Sequence, residues 1–149
     1  MDQREKSGTL MIKPRDPILL DTHIWIWLMN GDKSLPNAIR QFIEKQINSV
    51  SLSVSIISIW EVGILVQKRR LTLPYHPLEW TNRALSSGIK CAELTPHIAI
   101  ESSFLSELPK DPADRIIVAT AKSLQATLIT VDREILKYAK QSHISIFSG

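Results

Sequence analysis

Two acidic residues of this 149-residue sequence directly follow short apolar runs that are typical of buried strands. Asp21 comes after the run at 18–20, and Asp132 comes after the run at 128–131. In open parallel sheets, ligands bind beyond the carboxyl ends of the strands, at the point where the strand order reverses. These two aspartates are therefore candidates for one shared cleft.

Two further acids lie in predicted helices, on sides that also carry apolar residues. Glu61 has Ile57 and Leu65 as its neighbours four positions away, and an apolar helical face is an unfavourable place for an uncompensated charge. Asp114 falls in the first turn of a predicted helix, so it should emerge at an end of the sheet. We expect both side chains to lie at the same edge as Asp21.

Clustered carboxylates of this kind favour a divalent cation. Two carboxylates about 4 Å apart repel by about 4 kcal/mol at an effective dielectric constant of about 20, so four cannot stay ionised together without cations. Because the donors are oxygens only, with no His or Cys at zinc spacing, the ions that fit are Mg²⁺ or Mn²⁺. Such a site orients water, lowers its pKa and neutralises a phosphodiester transition state without a covalent nucleophile.

The same acids also have purely structural interpretations. Asp21, Asp111 and Asp132 each occupy a position suited to capping a helix N terminus, and Asp114 fits the first turn, where the helix dipole favours anions. Glu61 could face solvent if the helical register differs from the predicted one. The combination of these acids at one predicted edge favours a shared site over unrelated caps.

The elements that must position these residues alternate between short apolar strands and longer helices. Strands are predicted at 18–20, 50–54, 89–94, 128–131 and 144–147, with helices between them. This alternation indicates an α/β fold with a parallel sheet covered on both faces. We expect one folded unit over residues 17–149 and a flexible N-terminal extension over residues 1–16.

The composition excludes several classes of protein. Hydrophobic residues make up 44% of the chain and charged residues 22%, which is typical of one globular domain. A single cysteine, Cys91, excludes an internal disulfide and a cysteine-rich metal scaffold. No apolar run approaches the roughly 18 residues of a membrane span, and the N terminus lacks the apolar core of a signal peptide. We therefore expect a cytoplasmic protein without a membrane partner.

Four segments follow one another along the chain, namely LLDTHIWIW, SIISIWEVGILVQKRRL, DPADRIIVATA and LITVDREI. In this order they resemble the PIN-domain family and most closely its VapC-type toxins of type II toxin–antitoxin pairs. The resemblance covers residues 18–147 and implies a three-layer α/β/α fold with a central parallel sheet of about five strands. It also implies an endoribonuclease dependent on Mg²⁺ or Mn²⁺.

The resemblance assigns roles to particular residues. It maps the catalytic and metal-binding acids to Asp21, Glu61, Asp114 and Asp132, with Asp132 more peripheral than the others. Thr130 matches a frequent Ser or Thr of the family and is expected to hold a metal-bound water.

The resemblance also implies partners, namely an RNA substrate, a cognate antitoxin that covers the cleft, and a second copy of the chain in a homodimer. Setting aside the four site acids leaves 11 acidic residues against 18 basic ones, which suits an RNA backbone. Arg115 is a candidate for binding a substrate phosphate, with a solvated position or an ion pair as the alternative.

Other residues that could bind RNA have structural explanations. The basic run 68–70 ends the Glu61 helix, where cations interact favourably with the helix C terminus. His23 is a lone histidine for which we expect a structural role. The tryptophans lie in apolar helical patterns and are expected to be core or dimer contacts rather than base-stacking platforms: Trp25, Trp27, Trp60 and Trp80.

Two alternative functions are compatible with an acidic pocket. A non-catalytic PIN relative would bind RNA or protein without cleaving RNA. A phospho-receiver module also uses an acidic Mg²⁺ pocket, but it needs an aspartate at the end of a middle strand and a lysine after the last strand. Neither residue is present in this sequence at the predicted third strand or after the predicted fifth, which disfavours the phospho-receiver.

Overall fold

The computed structural model describes residues 17–109, 111–142 and 144–149, so the predicted extension at 1–16 lies outside the described residues. Strands and helices alternate along this part of the chain, as predicted. In order they are β1 (Ile18–Leu20), α1 (Thr22–Asn30), α2 (Asn37–Gln46), β2 (Leu52–Ser55), α3 (Ile56–Gln67), α4 (Pro77–Ser86), β3 (Lys90–Ala92), α5 (Pro96–Ser103), α6 (Pro112–Leu124), β4 (Thr127–Ile129), α7 (Arg133–Ser142) and β5 (Ile146–Phe147).

The five strands form one sheet in the order β3-β2-β1-β4-β5, and every neighbouring pair is parallel. The chain first moves outward from β1 to β3 and then crosses to β4 and β5 on the other side. The strand order therefore reverses between β1 and β4, where Leu20 pairs with Ile129. The predicted parallel sheet of about five strands is confirmed.

Successive side chains of a strand point to opposite faces of the sheet, so the apolar strands expose apolar side chains on both faces. Helices cover both of these faces. Ile18 and Leu20 pack into a core cluster with residues of α1, α2 and α4, whereas Leu19 packs into a second cluster with residues of α5, α6 and α7. Burial on both faces explains why β1 and β4 read as continuous apolar runs. The predicted three-layer α/β/α architecture is confirmed.

Polar side chains determine where most of the helices begin. A side-chain cap accepts a hydrogen bond from one of the backbone N–H groups that a helix N terminus leaves unpaired. The capping interpretation is therefore confirmed for several of the acids, although it does not exclude a second role for them. The caps are Asp21 for α1, Ser55 for α3, His76 for α4, Thr95 for α5, Asp111 for α6 and Asp132 for α7.

Tryptophans occupy both the core and the surface. Trp25 and Trp80 are buried, with their ring centroids 4.7 Å apart, as expected for core residues. Trp60 on α3 is instead 56% exposed, so it is not a core residue. The other role expected for it, a contact with another chain, stays a prediction.

No helix within the described residues is long and apolar enough to span a bilayer.

Leu128 tests the importance of the central strands, because its side chain is fully buried in β4. Leu128→Ala leaves a cavity between β4 and the helices that cover it, so we expect the free energy of unfolding to fall by about 2–5 kcal/mol in urea denaturation. Leu78→Ala on α4, where the side chain is 63% exposed, should change it by less than about 0.5 kcal/mol. Equal effects of the two substitutions would contradict this assignment of the core.

Candidate active site

Asp21 lies at the carboxyl end of the central strand β1 and is only 9% exposed. The Thr22 backbone N–H donates to its Oδ1 at 2.8 Å, and the Thr130 hydroxyl donates to its Oδ2 at 2.6 Å. Burial raises the pKa of the Asp21 carboxyl, and these two hydrogen bonds oppose the rise. Each carboxylate oxygen keeps a lone pair for a further ligand, because it accepts only one of these two bonds.

Glu61 reaches the same edge of the sheet from α3 and is half-buried. The Thr22 hydroxyl donates to its Oε1 at 2.5 Å. Burial raises the pKa of Glu61, and the charge of Asp21 raises it further, whereas the bond from Thr22 lowers it. Glu61 therefore faces the other acids, as the apolar helical face predicts, and the solvent-facing register is excluded.

Asp114 lies in the first turn of α6 and is half-buried. Its pKa is raised from an ordinary value of 3.8 to about 7, mainly by burial. The remaining causes are the negative charges of four other acids, so the structure gathers these carboxylates around Asp114. They are, from the largest effect to the smallest, Asp132, Asp21, Asp111 and Glu61.

Asp132 follows β4 and has a structural role at this edge. Its Oδ1 accepts the backbone N–H groups of Glu134 and Ile135 at 2.9 and 3.0 Å, which caps α7. One carboxylate oxygen therefore serves the helix, and the peripheral role expected for Asp132 in metal binding stays a prediction. Its backbone N–H donates to the Thr130 hydroxyl at 3.0 Å.

Thr130 links two of the site acids. Its fully buried hydroxyl donates its only proton to Asp21 and accepts the backbone N–H of Asp132. Thr130 therefore holds the Asp21 carboxylate at the point where the strand order reverses. Its expected contact with a metal-bound water stays a prediction.

Arg115 is hydrogen-bonded to the backbone of the segment that precedes α6. Its guanidinium donates to the carbonyl oxygens of Pro109 and Leu108, each at 3.0 Å. Arg115 thus holds the segment before the turn that carries Asp114. Its expected contact with a substrate phosphate stays a prediction.

The donor chemistry of this edge fits a hard divalent cation. The candidate ligands are all carboxylate oxygens, and burial and mutual repulsion raise the pKa of three of the carboxyls, so a positive charge would relieve an existing cost. In the described part of the chain, no three acidic, His or Cys side chains are close enough together to hold one ion by themselves. Mg²⁺ commonly takes only one or two carboxylates and keeps several waters, so this looser arrangement can accommodate it.

Two hydroxyl residues of the site were missed by the sequence analysis. Neither Thr22 nor Ser58 is among the site residues that the sequence predicts. The Ser58 Oγ lies 2.7 Å from the Thr22 Oγ1, next to Glu61. Ser58 precedes Glu61 by three residues, and residues at that spacing share a helical face, so the sequence contained a signal for this neighbour.

Comparison with known proteins identifies the family of this chain. The family model described as "PIN domain" matches residues 18–141. The chain belongs to the PIN-domain family. It is 30% identical over 131 residues to Ribonuclease VapC22 of Mycobacterium tuberculosis, in an alignment that covers 87% of this chain and 98% of that protein. The VapC-type resemblance of the four sequence segments is therefore confirmed.

Solved structures of other proteins agree with the architecture. The structure of VapBC2 from Rickettsia felis, bound to a DNA fragment from its promoter, superposes with a TM-score of 0.65 at 15% identity and covers 87% of this chain and 96% of that chain. A toxin–antitoxin complex from Klebsiella pneumoniae superposes with a TM-score of 0.61 at 22% identity and covers 88% and 96%. At these identities the likeness establishes the fold.

The sheet order separates this PIN domain from a phospho-receiver. Receivers of the flavodoxin-like type have the strand order 2-1-3-4-5, which places the third strand in the middle of the sheet. Here β3 is an edge strand, and the exposed Glu93 follows it. The acid that follows the third strand therefore lies outside the central site, so the phospho-receiver alternative is excluded.

Asp114 provides a test of the crowded charges. At pH values between 3.8 and about 7, Asp114 holds a proton in the folded protein more often than in the unfolded chain. The contribution of Asp114 to the free energy of unfolding therefore falls as the pH rises. We expect Asp114→Asn to raise the Tm of the metal-free protein by about 3 °C or more at pH 8. The gain should shrink steadily as the pH is lowered toward 4.

The measurement is thermal denaturation in EDTA at several pH values, with Glu44→Gln on the exposed side of α2 as the control. The control should change the Tm little at every pH. A gain for Asp114→Asn that is independent of pH would contradict the raised pKa.

Proposed function

We propose that the protein is a divalent-metal-dependent endoribonuclease and the toxin of a type II toxin–antitoxin pair. The observation that carries this proposal is the meeting of Asp21, Glu61 and Asp114 at the point where the sheet order reverses. This arrangement occurs in a chain that is similar to a ribonuclease over almost its whole length. We propose residues 17–149 as the PIN domain that carries this activity.

We propose that Asp21, Glu61 and Asp114 bind Mg²⁺ or Mn²⁺ either directly or through coordinated waters, with Asp132 at the periphery. When bound, the cation supplies charge neutralisation at the phosphodiester and a water of lowered pKa. Carboxylate oxygens at this edge would accept hydrogen bonds from the attacking water and orient it toward phosphorus. Because the pKa of Asp114 is raised to about 7, this carboxyl would have to lose a proton before it could act as a ligand below neutral pH.

The rigid elements around the acids support this chemistry by fixing the positions of their carboxylates. Asp21 is held by the strand end and by Thr130, and Asp114 lies in the first turn of a 13-residue helix. Sites built on strands and helices hold their ligands more accurately than sites on loops. We propose Arg115 as a phosphate contact that becomes available when RNA displaces its bonds to the preceding segment.

We propose two protein partners, a cognate antitoxin and a second copy of the chain. The antitoxin proposal is supported by the two solved structures, both of which are toxin–antitoxin complexes. The homodimer proposal is supported by large apolar side chains on the surface, because such exposed groups favour a contact with protein. Trp60, Ile100 and Phe104 are 56%, 64% and 77% exposed.

We propose that the protein acts in the cytoplasm, because the proposed RNA substrate and antitoxin would both be present there.

Cleavage of RNA is the direct test of this function. Purified protein should cleave a mixed RNA substrate in Mg²⁺ or Mn²⁺, and EDTA should abolish the cleavage. Asp21→Asn and Glu61→Gln each remove a proposed ligand, so we expect each to lower the rate at least about 100-fold, as measured by gel electrophoresis of the products. Glu44→Gln, which changes an exposed acid on α2, should cleave at the wild-type rate.

Two results would contradict the proposal. Cleavage that survives both EDTA and Asp21→Asn would exclude the metal-dependent mechanism. Binding of RNA without cleavage under any divalent metal would instead indicate the non-catalytic PIN module.

Growth of cells that express the protein tests its role as a toxin. Inducible expression of the wild type should arrest growth, because uncontrolled cleavage of RNA stops protein synthesis. Expression of Asp21→Asn to the same level, checked by immunoblot, should leave growth unchanged. Equal growth arrest by both proteins would show that the toxicity does not come from the acidic site.

A further inference from the structure

A chain of three polar side chains connects the interior of α3 to the acidic site. The Ser58 Oγ lies 2.7 Å from the Thr22 Oγ1, and the Thr22 Oγ1 donates to Glu61 Oε1 at 2.5 Å. Ser58 is fully buried and Thr22 is almost so, which keeps water from replacing these bonds. Glu61 is half-buried at the end of the chain.

The direction of both hydrogen bonds follows from the available protons. An ionised carboxylate only accepts, so the single hydroxyl proton of Thr22 goes to Glu61. The Thr22 oxygen must then accept its other bond from the hydroxyl of Ser58. Each proton therefore has one acceptor, and the chain runs from Ser58 through Thr22 to Glu61.

Thr22 is also bonded to a second site acid. Its backbone N–H donates to Asp21 at 2.8 Å, while its hydroxyl donates to Glu61. Asp21 is separated from Glu61 by 40 positions in the sequence and follows β1, whereas Glu61 lies on α3. Thr22 thus sets the positions of these two carboxylates relative to each other, because it donates a hydrogen bond to each.

We propose that Thr22, supported by Ser58, is a positioning residue that holds the Glu61 carboxylate beside Asp21 so that both can bind one divalent cation. This inference rests on the metal-dependent function proposed above. A glutamate side chain has several rotatable bonds, and without the Thr22 hydroxyl these must be ordered when the cation binds. Losing a residue that orients a metal ligand typically weakens metal binding about 10–100-fold.

The alternative is that Thr22 only fills space beneath α3. Thr22→Val separates the two roles, because valine has nearly the same shape but lacks the hydroxyl. It also leaves the Ser58 hydroxyl without its acceptor, which should lower the Tm. The double variant Thr22→Val/Ser58→Ala removes that unpaired hydroxyl, and Thr22→Ser restores the donor to Glu61.

The experiment is a calorimetric titration of metal-free protein with Mn²⁺, together with the rise in Tm that Mn²⁺ produces. We expect Thr22→Val and the double variant to bind Mn²⁺ about 10–100-fold more weakly than the wild type. Thr22→Ser should bind within about threefold of the wild type, since it keeps the hydroxyl. Circular dichroism confirms that each variant is folded before titration.

Thr127→Val provides a matched control. The buried Thr127 hydroxyl pairs with the Ser145 hydroxyl at 2.8 Å, at the start of β4 and away from the site edge. We expect this variant to lower the Tm without changing the affinity for Mn²⁺. A loss of affinity in Thr22→Val that merely matched that of Thr127→Val would indicate a general effect of destabilisation and overturn the inference.

The outcomes also distinguish this inference from the proposed function. Equal Mn²⁺ binding by the wild type and Thr22→Val would overturn the inference alone, as would a Thr22→Ser variant as weak as Thr22→Val. A wild type that binds no Mn²⁺ would overturn the metal-dependent function and this inference together.

Discussion

Asp21 places a carboxylate almost completely out of water at the end of the central strand, and the arrangement of the site depends on how that charge is kept there. A buried carboxylate is costly unless it is hydrogen-bonded or paired with a positive charge. The Thr22 backbone and the Thr130 hydroxyl satisfy part of this requirement. The charge of Asp132 increases the remaining cost, because it raises the pKa of Asp21 further. The divalent cation proposed above would relieve this cost by supplying a nearby positive charge.

The sheet order explains why the acids meet at this place. Only between β1 and β4 do the connections leave in opposite directions, and open parallel sheets bind their ligands beyond the strand ends at such a point. Asp21 and Asp132 follow these strands directly, while α3 and α6 bring Glu61 and Asp114 to the same edge. Two of the proposed site acids also serve the fold, since Asp21 and Asp132 cap helices. The capping and catalytic interpretations of these residues are therefore compatible.

Hydroxyl side chains have a separate role from the acids in this site. Thr130 connects Asp21 to the backbone of Asp132, and Thr22 connects Asp21 to Glu61. These bonds join elements that are far apart in the sequence, so the separation between carboxylates is fixed before a ligand binds. Preorganised ligands of this kind bind a cation with a smaller loss of conformational entropy.

The sequence by itself was sufficient for the α/β class, the order of the elements and the placement of four acids at one edge of the sheet, because apolar periodicity, strand ends and helix caps are local properties. It predicted strand boundaries less well: β3 covers Lys90–Ala92 rather than 89–94, since pairing with β2 decides where a strand ends. Only the tertiary structure decided that Thr22 donates to Glu61, that Arg115 binds Pro109 and Leu108, and how far the pKa of Asp114 rises. These features depend on distances and burial between separate elements, which follow from strand order and packing and leave no local pattern in the sequence.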